Sequence, residues 1–362
     1  MDVVFTLNDY FTVHLPQIEE EMRRAVNRVS DSPALPITTS HPPLFDTMLN
    51  YHLGFAEANG IPVSVYGGKR IRPMLTLLAC EACGGSADVA LPAAAAIELM
   101  HNFSLVHDDI EDRDRIRRGR PTLWTLWGNA QAINTGDAMF ALAHSCIEAL
   151  VERGADPVRA VHALRVFDDA AVALTVGQHM DLSFEARSDV SVDEYMAMIQ
   201  GKTGALTQAA CAIGALLGGA SDERIRALAA FGAWLGIAFQ LQDDILGIWG
   251  DPAVTGKLHS DLSHRKRTLP VLYAAAQDAH VRELYFGGSS NAGSASVDNA
   301  LPDTVLAEVL HLIVASGARE YTEQVALDTC TRAMKSLDSA QVDNPSGALL
   351  RELAWGLLGR ES

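Results

Sequence analysis

The sequence predicts an all-α protein, and three features of the chain support this prediction. Apolar residues make up 48% of the 362 residues and charged residues 20%, a globular composition with ample length for a core. Apolar residues recur at steps of three and four along most of the chain, the spacing of helices with one buried face. Runs that alternate apolar and polar residues are missing from the sequence. We therefore expect a single helical domain over residues 1–362.

The predicted helices follow one another from the N-terminus to the C-terminus. They are Gln17–Val29, Arg72–Cys83, Leu91–Asp112, Ile133–Arg153, Pro157–Phe184, Val192–Leu217, Ile225–Phe239, Val305–Ala315 and Gly347–Leu358. Each is an Ala- and Leu-rich stretch with the helical spacing; in Ile225–Phe239, for example, Ile225, Leu228, Leu235 and Phe239 share one apolar face. The proline-rich residues 30–43 and the Gly- and Ser-rich residues 287–299 are predicted loops, the second a flexible surface insertion.

Charge and cysteine content restrict the classes of partner and the compartment. The chain has 28 Lys and Arg against 45 Asp and Glu, a formal charge of −17. Such an acidic protein repels nucleic acid and anionic membranes. Its five cysteines are sparse and odd in number, which is typical of a reducing compartment. The N-terminus has no secretory pattern, and the most apolar stretch, Ala205–Ala220, is shorter than the roughly 20 residues of a spanning helix. We expect a cytoplasmic protein without stable membrane insertion.

Two acidic motifs each end an apolar helix. In the first, HDDIED at residues 107–112, Asp108 and Asp112 are four residues apart and therefore share a helix face at about 6 Å. Two such carboxylates can bind Mg²⁺, which often completes its shell with substrate phosphates. The second motif is QLQDD at residues 240–244. Two such motifs, some 130 residues apart, predict two walls of one metal-filled cavity, whereas either motif alone would be read as a solvated helix end.

Basic residues are gathered in three segments despite the acidic total. They are GGKRIRP at residues 67–73, RRGRPT at residues 117–122, and Lys257 with RKR at residues 265–267. Arg can hold phosphate oxygens with two hydrogen bonds, and Lys acts as a point charge. Each segment alone would most simply be interpreted as a basic turn exposed to solvent. Together with the acidic motifs they predict a site for Mg²⁺ and diphosphate groups.

These segments resemble the trans-isoprenyl diphosphate synthases, or polyprenyl synthetases, most of all the bacterial geranylgeranyl diphosphate synthases. The matching motifs, in order, are GGKRIRP at 67–73, LVHDDIED at 105–112, RRGRPT at 117–122, GQHMDL at 177–182, GKT at 201–203, FQLQDD at 239–244, and TGK, SDL and KRTLP between 255 and 270. The resemblance covers roughly residues 60–275. It implies a single polyprenyl synthetase domain, in which helices surround a deep central cavity, and a homodimer.

The resemblance also implies a role for each matching residue. Direct Mg²⁺ ligands are Asp108, Asp112 and Asp243, with Asp109 and Asp244 beside them, for about three Mg²⁺ per site. The allylic diphosphate is bound by Arg117, Lys202, Lys257 and Lys266, and isopentenyl diphosphate by Lys69, Arg72, His101 and Arg118. Thr203 and Gln240 face the developing allylic cation, and Gln178 and Asp181 support the metals.

The implied reaction is a head-to-tail condensation. The allylic C–O bond breaks as metal and basic side chains neutralise the leaving diphosphate, and the double bond of isopentenyl diphosphate attacks the cation. The resemblance also implies that residues just before the first acidic motif limit product length, because they form the floor of the cavity in which the product grows. These residues are Phe103, Ser104 and Met100, which lie five, four and eight residues before Asp108. A single aromatic residue at the position of Phe103 favours geranylgeranyl diphosphate. Farnesyl and geranylfarnesyl diphosphate remain alternative products, and all three residues are also compatible with plain core packing.

One departure from the family pattern opens a second alternative. The second motif usually reads DDxxD, but its fifth position here is Gly247. We expect weaker binding of one Mg²⁺. Gly247 is also the one feature that favours a non-catalytic subunit of a heteromeric prenyl synthase. A terpene cyclase, the third hypothesis, is disfavoured because the chain has GGKRIRP and lacks NDxxSxxxE.

Overall fold

The computed structural model describes residues 6–31, 44–63, 68–250, 262, 264–287 and 301–358, and these are almost entirely helical. Its helices are α1 (Leu7–Asp31), α2 (Leu44–Leu53), α3 (Ile71–Ala82), α4 (Ala87–Glu111), α5 (Leu123–Trp127), α6 (Asn129–Glu148), α7 (Pro157–Phe184), α8 (Val192–Ile199), α9 (Ala205–Leu217), α10 (Asp222–Trp249), α11 (Leu269–Gln277), α12 (Ala279–Phe286), α13 (Asp303–Ala315), α14 (Ala318–Ser339) and α15 (Pro345–Leu358). A π-helical turn, Gln200–Gly204, joins α8 to α9, and a hairpin of β1 (Ile116–Arg117) and β2 (Arg120–Pro121) follows α4. The all-α prediction is confirmed.

Helix α14 is the longest element that the apolar pattern did not predict. Its buried face consists mainly of small or weakly apolar side chains, among them Ala326, Thr329, Cys330 and Ala333. Such small residues pack well where helices cross, but they contribute little to a periodic pattern of large apolar residues. The predicted loop at 287–299 lies outside the described residues, apart from Gly287.

The chain forms two compact units, each built from separate segments. Unit 1 comprises residues 1–168, 209–226 and 342–350, and unit 2 comprises residues 169–208, 227–341 and 351–362. The organisation as one domain over 1–362 stays a prediction. The first acidic motif and the first two basic segments belong to unit 1, whereas the second acidic motif and the GKT segment belong to unit 2.

Helix α4 is the central helix of unit 1. Ser86 caps its N-terminus by accepting a hydrogen bond from the Asp88 N–H at 3.3 Å. Residues 93–100 have no exposed surface apart from Glu98, which is 2% exposed. The alanines of this run favour the helix and have small side chains, so neighbouring helices can pack closely against it. The helix ends in the first acidic motif, so its buried body fixes the position of Asp108 and Asp112.

Unit 2 has its own apolar core. Tyr195, Leu241, Leu269 and Tyr285 are among its most buried members. Helix α8 begins with a capping box, in which the Ser191 hydroxyl accepts from the Glu194 N–H and the Glu194 carboxylate accepts from the Ser191 N–H. This cap fixes the start of the segment that continues into the π-helical turn.

Two helices, α4 and α10, are long and apolar enough to cross a membrane by length and composition alone. The most apolar window of α4 is 72% buried inside the protein, and that of α10 is 44% buried. Core helices meet the same criteria, so these two helices are weak evidence for a membrane span.

Candidate active site

The first acidic motif lies at the C-terminal end of α4. Asp108 and Asp112 are partly exposed, whereas the Asp109 side chain is only 2% exposed. The C-terminal end of a helix carries partial negative charge, so three carboxylates there repel both one another and the helix end. This arrangement favours binding of a cation at Asp108 and Asp112.

The hairpin after α4 turns Arg117 back onto this motif. Its two central residues, Arg118 and Gly119, both have positive φ, at 52° and 74°, as a type I′ turn requires. Arg117 Nε donates to Asp109 Oδ1 at 2.6 Å, and its Nη2 lies 3.4 Å from Asp108 Oδ2. The predicted diphosphate ligand Arg117 therefore contacts the predicted metal ligands directly.

Burial separates Asp109 from the other acids of the motif. It raises the pKa of the Asp109 carboxyl to about 7, and the Arg117 guanidinium opposes this effect. The structure places the Asp109 carboxylate against Arg117, whereas Asp108 and Asp112 are partly exposed; the supporting role of Asp109 stays a prediction.

Arg120 anchors the hairpin to the end of α2. Its guanidinium donates to the carbonyl oxygens of Tyr51, at 3.0 Å, and Ala56, at 2.9 Å, and stacks 3.9 Å above the Tyr51 ring. The arginines of RRGRPT thus have different partners. Arg117 faces the acids, whereas Arg120 fixes the position of the turn that presents Arg117 and Arg118.

The structure brings three of the predicted isopentenyl diphosphate ligands close together. Arg72 Nη1 lies 3.5 Å from His101 Nε2, and a Cβ on Gly68 would lie 3.0 Å from Arg118 Nη2. Burial, followed by Arg72 and Arg118, holds the pKa of His101 well below its usual value, so its imidazole is neutral. The fourth predicted ligand, Lys69, is exposed at the start of this segment.

His52, on α2, is a neighbour of this cluster that the sequence analysis missed. It lines an open depression together with Arg117, Arg118 and Arg120. Burial and these arginines hold the pKa of His52 well below its usual value. No linear motif marks His52, because only the fold of α2 against the hairpin places it there.

In unit 2, a close helix crossing positions the GQHMDL and GKT segments. A Cβ on Gly177 would lie 2.1 Å from the backbone nitrogen of Lys202, so α7 and the π-helical turn touch through their backbones. Across this crossing, Lys202 Nζ and Asp181 Oδ2 are 2.6 Å apart. Gln178 follows Gly177 on the same helix. π-helical turns are rare and frequently lie at functional sites.

A chain of hydrogen bonds links the GKT segment to the second acidic motif. The Thr203 hydroxyl donates to Gln240 Oε1 at 2.9 Å, and the Gln240 amide donates to Asp244 Oδ1 at 3.1 Å. Asp244 Oδ2 accepts from the Tyr195 hydroxyl and from the Leu269 N–H. Asp244 is 3% exposed and therefore sits in the protein interior as an acceptor of three donors. Tyr195 is a further residue that the sequence analysis missed.

Asp243 differs from Asp244 in being partly exposed, so its carboxylate is the more accessible of the pair. Gly247 lies one helical turn after Asp243 on α10 and contributes no carboxylate. Of the third basic segment, Lys257 lies outside the described residues, and Lys266 is exposed. Its neighbour Arg267 is buried and donates to the Arg187 carbonyl oxygen at 3.2 Å.

The donor set fits Mg²⁺ of the kind that is shared with a substrate. Within the part of the chain that the structure describes, no group of three or more His, Cys, Asp or Glu could hold a metal by itself. Mg²⁺ sites that bind phosphates need only one or two carboxylates, because water and phosphate oxygens supply the other ligands. Asp108 with Asp112, and Asp243, could hold such ions.

The three predicted chain-length residues differ in their surroundings. Met100 is fully buried, and the Ser104 hydroxyl donates to the His101 carbonyl oxygen at 2.8 Å. Phe103 is partly buried, and its ring lies 5.2 Å from that of Phe140 on α6 and 4.8 Å from that of His107. Phe103 is therefore one side of an aromatic contact between α4 and α6.

Comparisons with known proteins agree with these motifs. The sequence profile of the polyprenyl synthetase family matches residues 61–301. The chain is 42% identical over 317 residues to a (2E,6E)-farnesyl diphosphate synthase of Mycobacterium tuberculosis, covering 87% of this chain and 86% of that protein. It is 47% identical over 229 residues to a geranylgeranyl diphosphate synthase of the same organism, covering 63% of this chain and 64% of that protein.

The fold is also found among solved structures. A polyprenyl synthetase from Streptomyces coelicolor superposes with a TM-score of 0.79 at 39% identity, covering 95% of this chain and 97% of that one. The family generally uses Mg²⁺, which agrees with the carboxylate pairs described above. Profile, relatives and fold lead to one conclusion: this chain belongs to the polyprenyl synthetase family and is a trans-prenyltransferase.

Proposed function

We propose that the chain condenses isopentenyl diphosphate with an allylic diphosphate and makes mainly geranylgeranyl diphosphate. The observation that carries this proposal is the end of α4, where the partly exposed carboxylates of Asp108 and Asp112 adjoin the hairpin that presents Arg117 and Arg118. Next to the hairpin, the cations Lys69 and Arg72 form a second basic cluster with the neutral imidazole of His101. Carboxylates for a metal, with two groups of cations for two diphosphates, match a reaction between two diphosphate substrates.

In the proposed reaction, the side chains of this chain bind charge and orient the substrates. Bound Mg²⁺, about three per site, would supply positive charge as the diphosphate leaves the allylic carbon. The hydrogen bond to Asp109 already holds the Arg117 side chain in one orientation. Arg117 can therefore add positive charge at the same diphosphate without first reorganising its side chain. The oxygen atoms of Thr203 and Gln240, held by their mutual hydrogen bond, provide dipoles for the allylic cation.

A product assay tests this proposal. The purified chain is incubated with Mg²⁺, isopentenyl diphosphate and, separately, dimethylallyl, geranyl and farnesyl diphosphates, and the product alcohols are sized after hydrolysis. A dominant twenty-carbon alcohol supports the proposal. A fifteen- or twenty-five-carbon alcohol keeps the reaction but contradicts the product, and the two mycobacterial relatives, a farnesyl and a geranylgeranyl diphosphate synthase by name, show that both lengths occur near this sequence.

The same assay decides the second candidate function. Gly247 removes one carboxylate from the second acidic motif, which is the observation that favours a non-catalytic subunit. If the folded chain gave no product with any primer, this alternative would replace the proposal. The intact first motif and both basic clusters of unit 1 argue for activity.

Product length should depend on Phe103. In the Phe103→Ala variant we expect a longer main product, because removing the ring opens space along α4. The product alcohols of the variant are sized beside those of the wild type. Since the Phe140 ring contacts that of Phe103, the double variant with Phe140→Ala should extend the product further. An unchanged product from Phe103→Ala would mean that Phe103 is core packing and not the floor of the cavity.

We further propose a homodimer that acts in the cytoplasm. Several large apolar side chains of unit 1 are exposed, including Ile133 at 43%, Phe140 at 37%, Val158 at 63% and Val161 at 64%. Exposed apolar residues on neighbouring helices are typical of an interface between subunits. Light scattering after size-exclusion chromatography should give twice the chain mass of 38.9 kDa; a value at one chain mass would contradict the dimer.

A further inference from the structure

Arg70 and Glu98 form a buried ion pair in unit 1. The two side chains are 1% and 3% exposed, and Arg70 Nη1 lies 2.5 Å from Glu98 Oε1. Arg70 Nη2 also donates to the Leu53 carbonyl oxygen at 3.0 Å. Asn102, one turn further along α4, donates to the same Glu98 oxygen at 3.0 Å. The pair is thus part of a network that ties α2, α3 and α4 together.

This network is not explained by stability alone. Burying two charges costs desolvation, and apolar residues of similar volume often serve a core equally well or better. The backbone of Arg70 adds a second cost, because its φ of 47° and ψ of 38° are left-handed, a conformation that non-glycine residues rarely adopt. Such strain persists where the surroundings hold it, and it is concentrated at functional sites.

The pair lies between the residues that the proposed function assigns to isopentenyl diphosphate. Arg70 is the N-cap of α3, so Lys69 precedes it and Arg72 is in the first turn of the helix. Glu98 is one turn before His101 on α4, and Arg72 lies 3.5 Å from His101. Fixing Arg70 to Glu98 therefore sets the position of Lys69, just before α3, and of Arg72, in its first turn, relative to the imidazole on α4.

We propose that Glu98 is a positioning residue, which acts through Arg70 to hold Lys69 and Arg72 beside His101 for binding of the isopentenyl diphosphate group. The assignment rests on the proposed function and adds to it a residue that touches neither substrate nor metal. The Arg70 guanidinium is buried, and both of its described partners, Glu98 and the Leu53 carbonyl oxygen, lie in the protein interior.

The test is a paired substitution, Glu98→Gln with Arg70→Gln. Removing both charges together avoids leaving one buried charge unpaired, which by itself would destabilise the fold. We expect the KM for isopentenyl diphosphate to rise by about tenfold, as for one weakened charge-assisted hydrogen bond. The KM for the allylic diphosphate and kcat should stay within about twofold, because Arg117 and the metal ligands are not moved.

A second ion pair of the same unit provides the matched control. Arg153 pairs with Glu21 on α1, and Arg153 Nη1 lies 2.9 Å from Asp88. The variant Glu21→Gln with Arg153→Gln removes the same two charges away from the basic cluster. It should leave both KM values unchanged, whatever its effect on the melting temperature.

The outcomes separate the positioning role from the proposed function. An unchanged KM for isopentenyl diphosphate in the folded Glu98 and Arg70 variant would overturn the positioning role alone. Equal rises in both KM values would also overturn it, because they indicate a general loss of structure. A wild-type chain that neither turns over nor binds isopentenyl diphosphate in a calorimetric titration would overturn both. If this double variant does not fold, Glu98→Leu with Arg70→Met is measured instead, since apolar residues of similar volume remove both charges without leaving one unpaired.

Discussion

Replacing Asp108 with asparagine should lower kcat by about 10³-fold, because losing this proposed Mg²⁺ ligand would remove several kcal/mol of transition-state stabilisation. Asparagine keeps the shape of the side chain but removes the negative charge that attracts Mg²⁺. The loss should be smaller at high Mg²⁺ concentration, since a weakened site fills when the metal is in excess. The measurement is kcat for the variant and the wild type across a series of Mg²⁺ concentrations.

Glu111→Gln is the control for this prediction. Glu111 is exposed, belongs to the same last turn of α4 and loses the same unit of charge on substitution. Its kcat should stay within about tenfold of the wild type, because a charge in water affects the site only weakly. If Asp108→Asn retained activity at the level of Glu111→Gln, Asp108 would not be a metal ligand.

Adding one methyl group at Gly177 should both destabilise the protein and impair binding of the allylic substrate. The new Cβ would lie 2.1 Å from the Lys202 backbone nitrogen and 2.7 Å from the Gly201 carbonyl carbon, so the backbones must separate. Overpacking of this kind costs about 3 kcal/mol. The shift would move Lys202 away from Asp181, its partner at 2.6 Å. We expect a lower melting temperature of Gly177→Ala and a higher KM for the allylic diphosphate.

Gly356→Ala is the matched control on a helix with free space. No heavy atom lies within 4 Å of a Cβ at Gly356, which is inside α15 and lacks a positive φ. Alanine should stabilise this helix by about 0.5–1 kcal/mol and leave both KM values unchanged. A Gly177→Ala variant as stable as Gly356→Ala would show that α7 and the π-helical turn have room to separate.

Several features of the site could be predicted from the sequence because they are local. Asp108 and Asp112 share a face because helical periodicity fixes their spacing, and the fold confirms the helix that ends there. The basic segments were found as clusters of charge. In contrast, the different roles of the arginines in RRGRPT depend on a hairpin, in which Arg117 contacts the acidic motif and Arg120 holds the turn in place. The register of this hairpin could not be predicted from the spacing of apolar residues.

The sequence by itself determined the all-α class, the order of the motifs and the two acidic helix ends, because these depend on spacing and residue type along one chain. Only the tertiary structure decided how neighbouring carboxylates differ. Asp109 and Asp244 are buried against donors, whereas Asp108 and Asp243 stay accessible, and this follows from packing between helices. His52, Glu98 and Tyr195 were likewise found only in the fold. Their partners are distant in sequence, and burial, which sets the energy of a charge, is a property of the assembled structure.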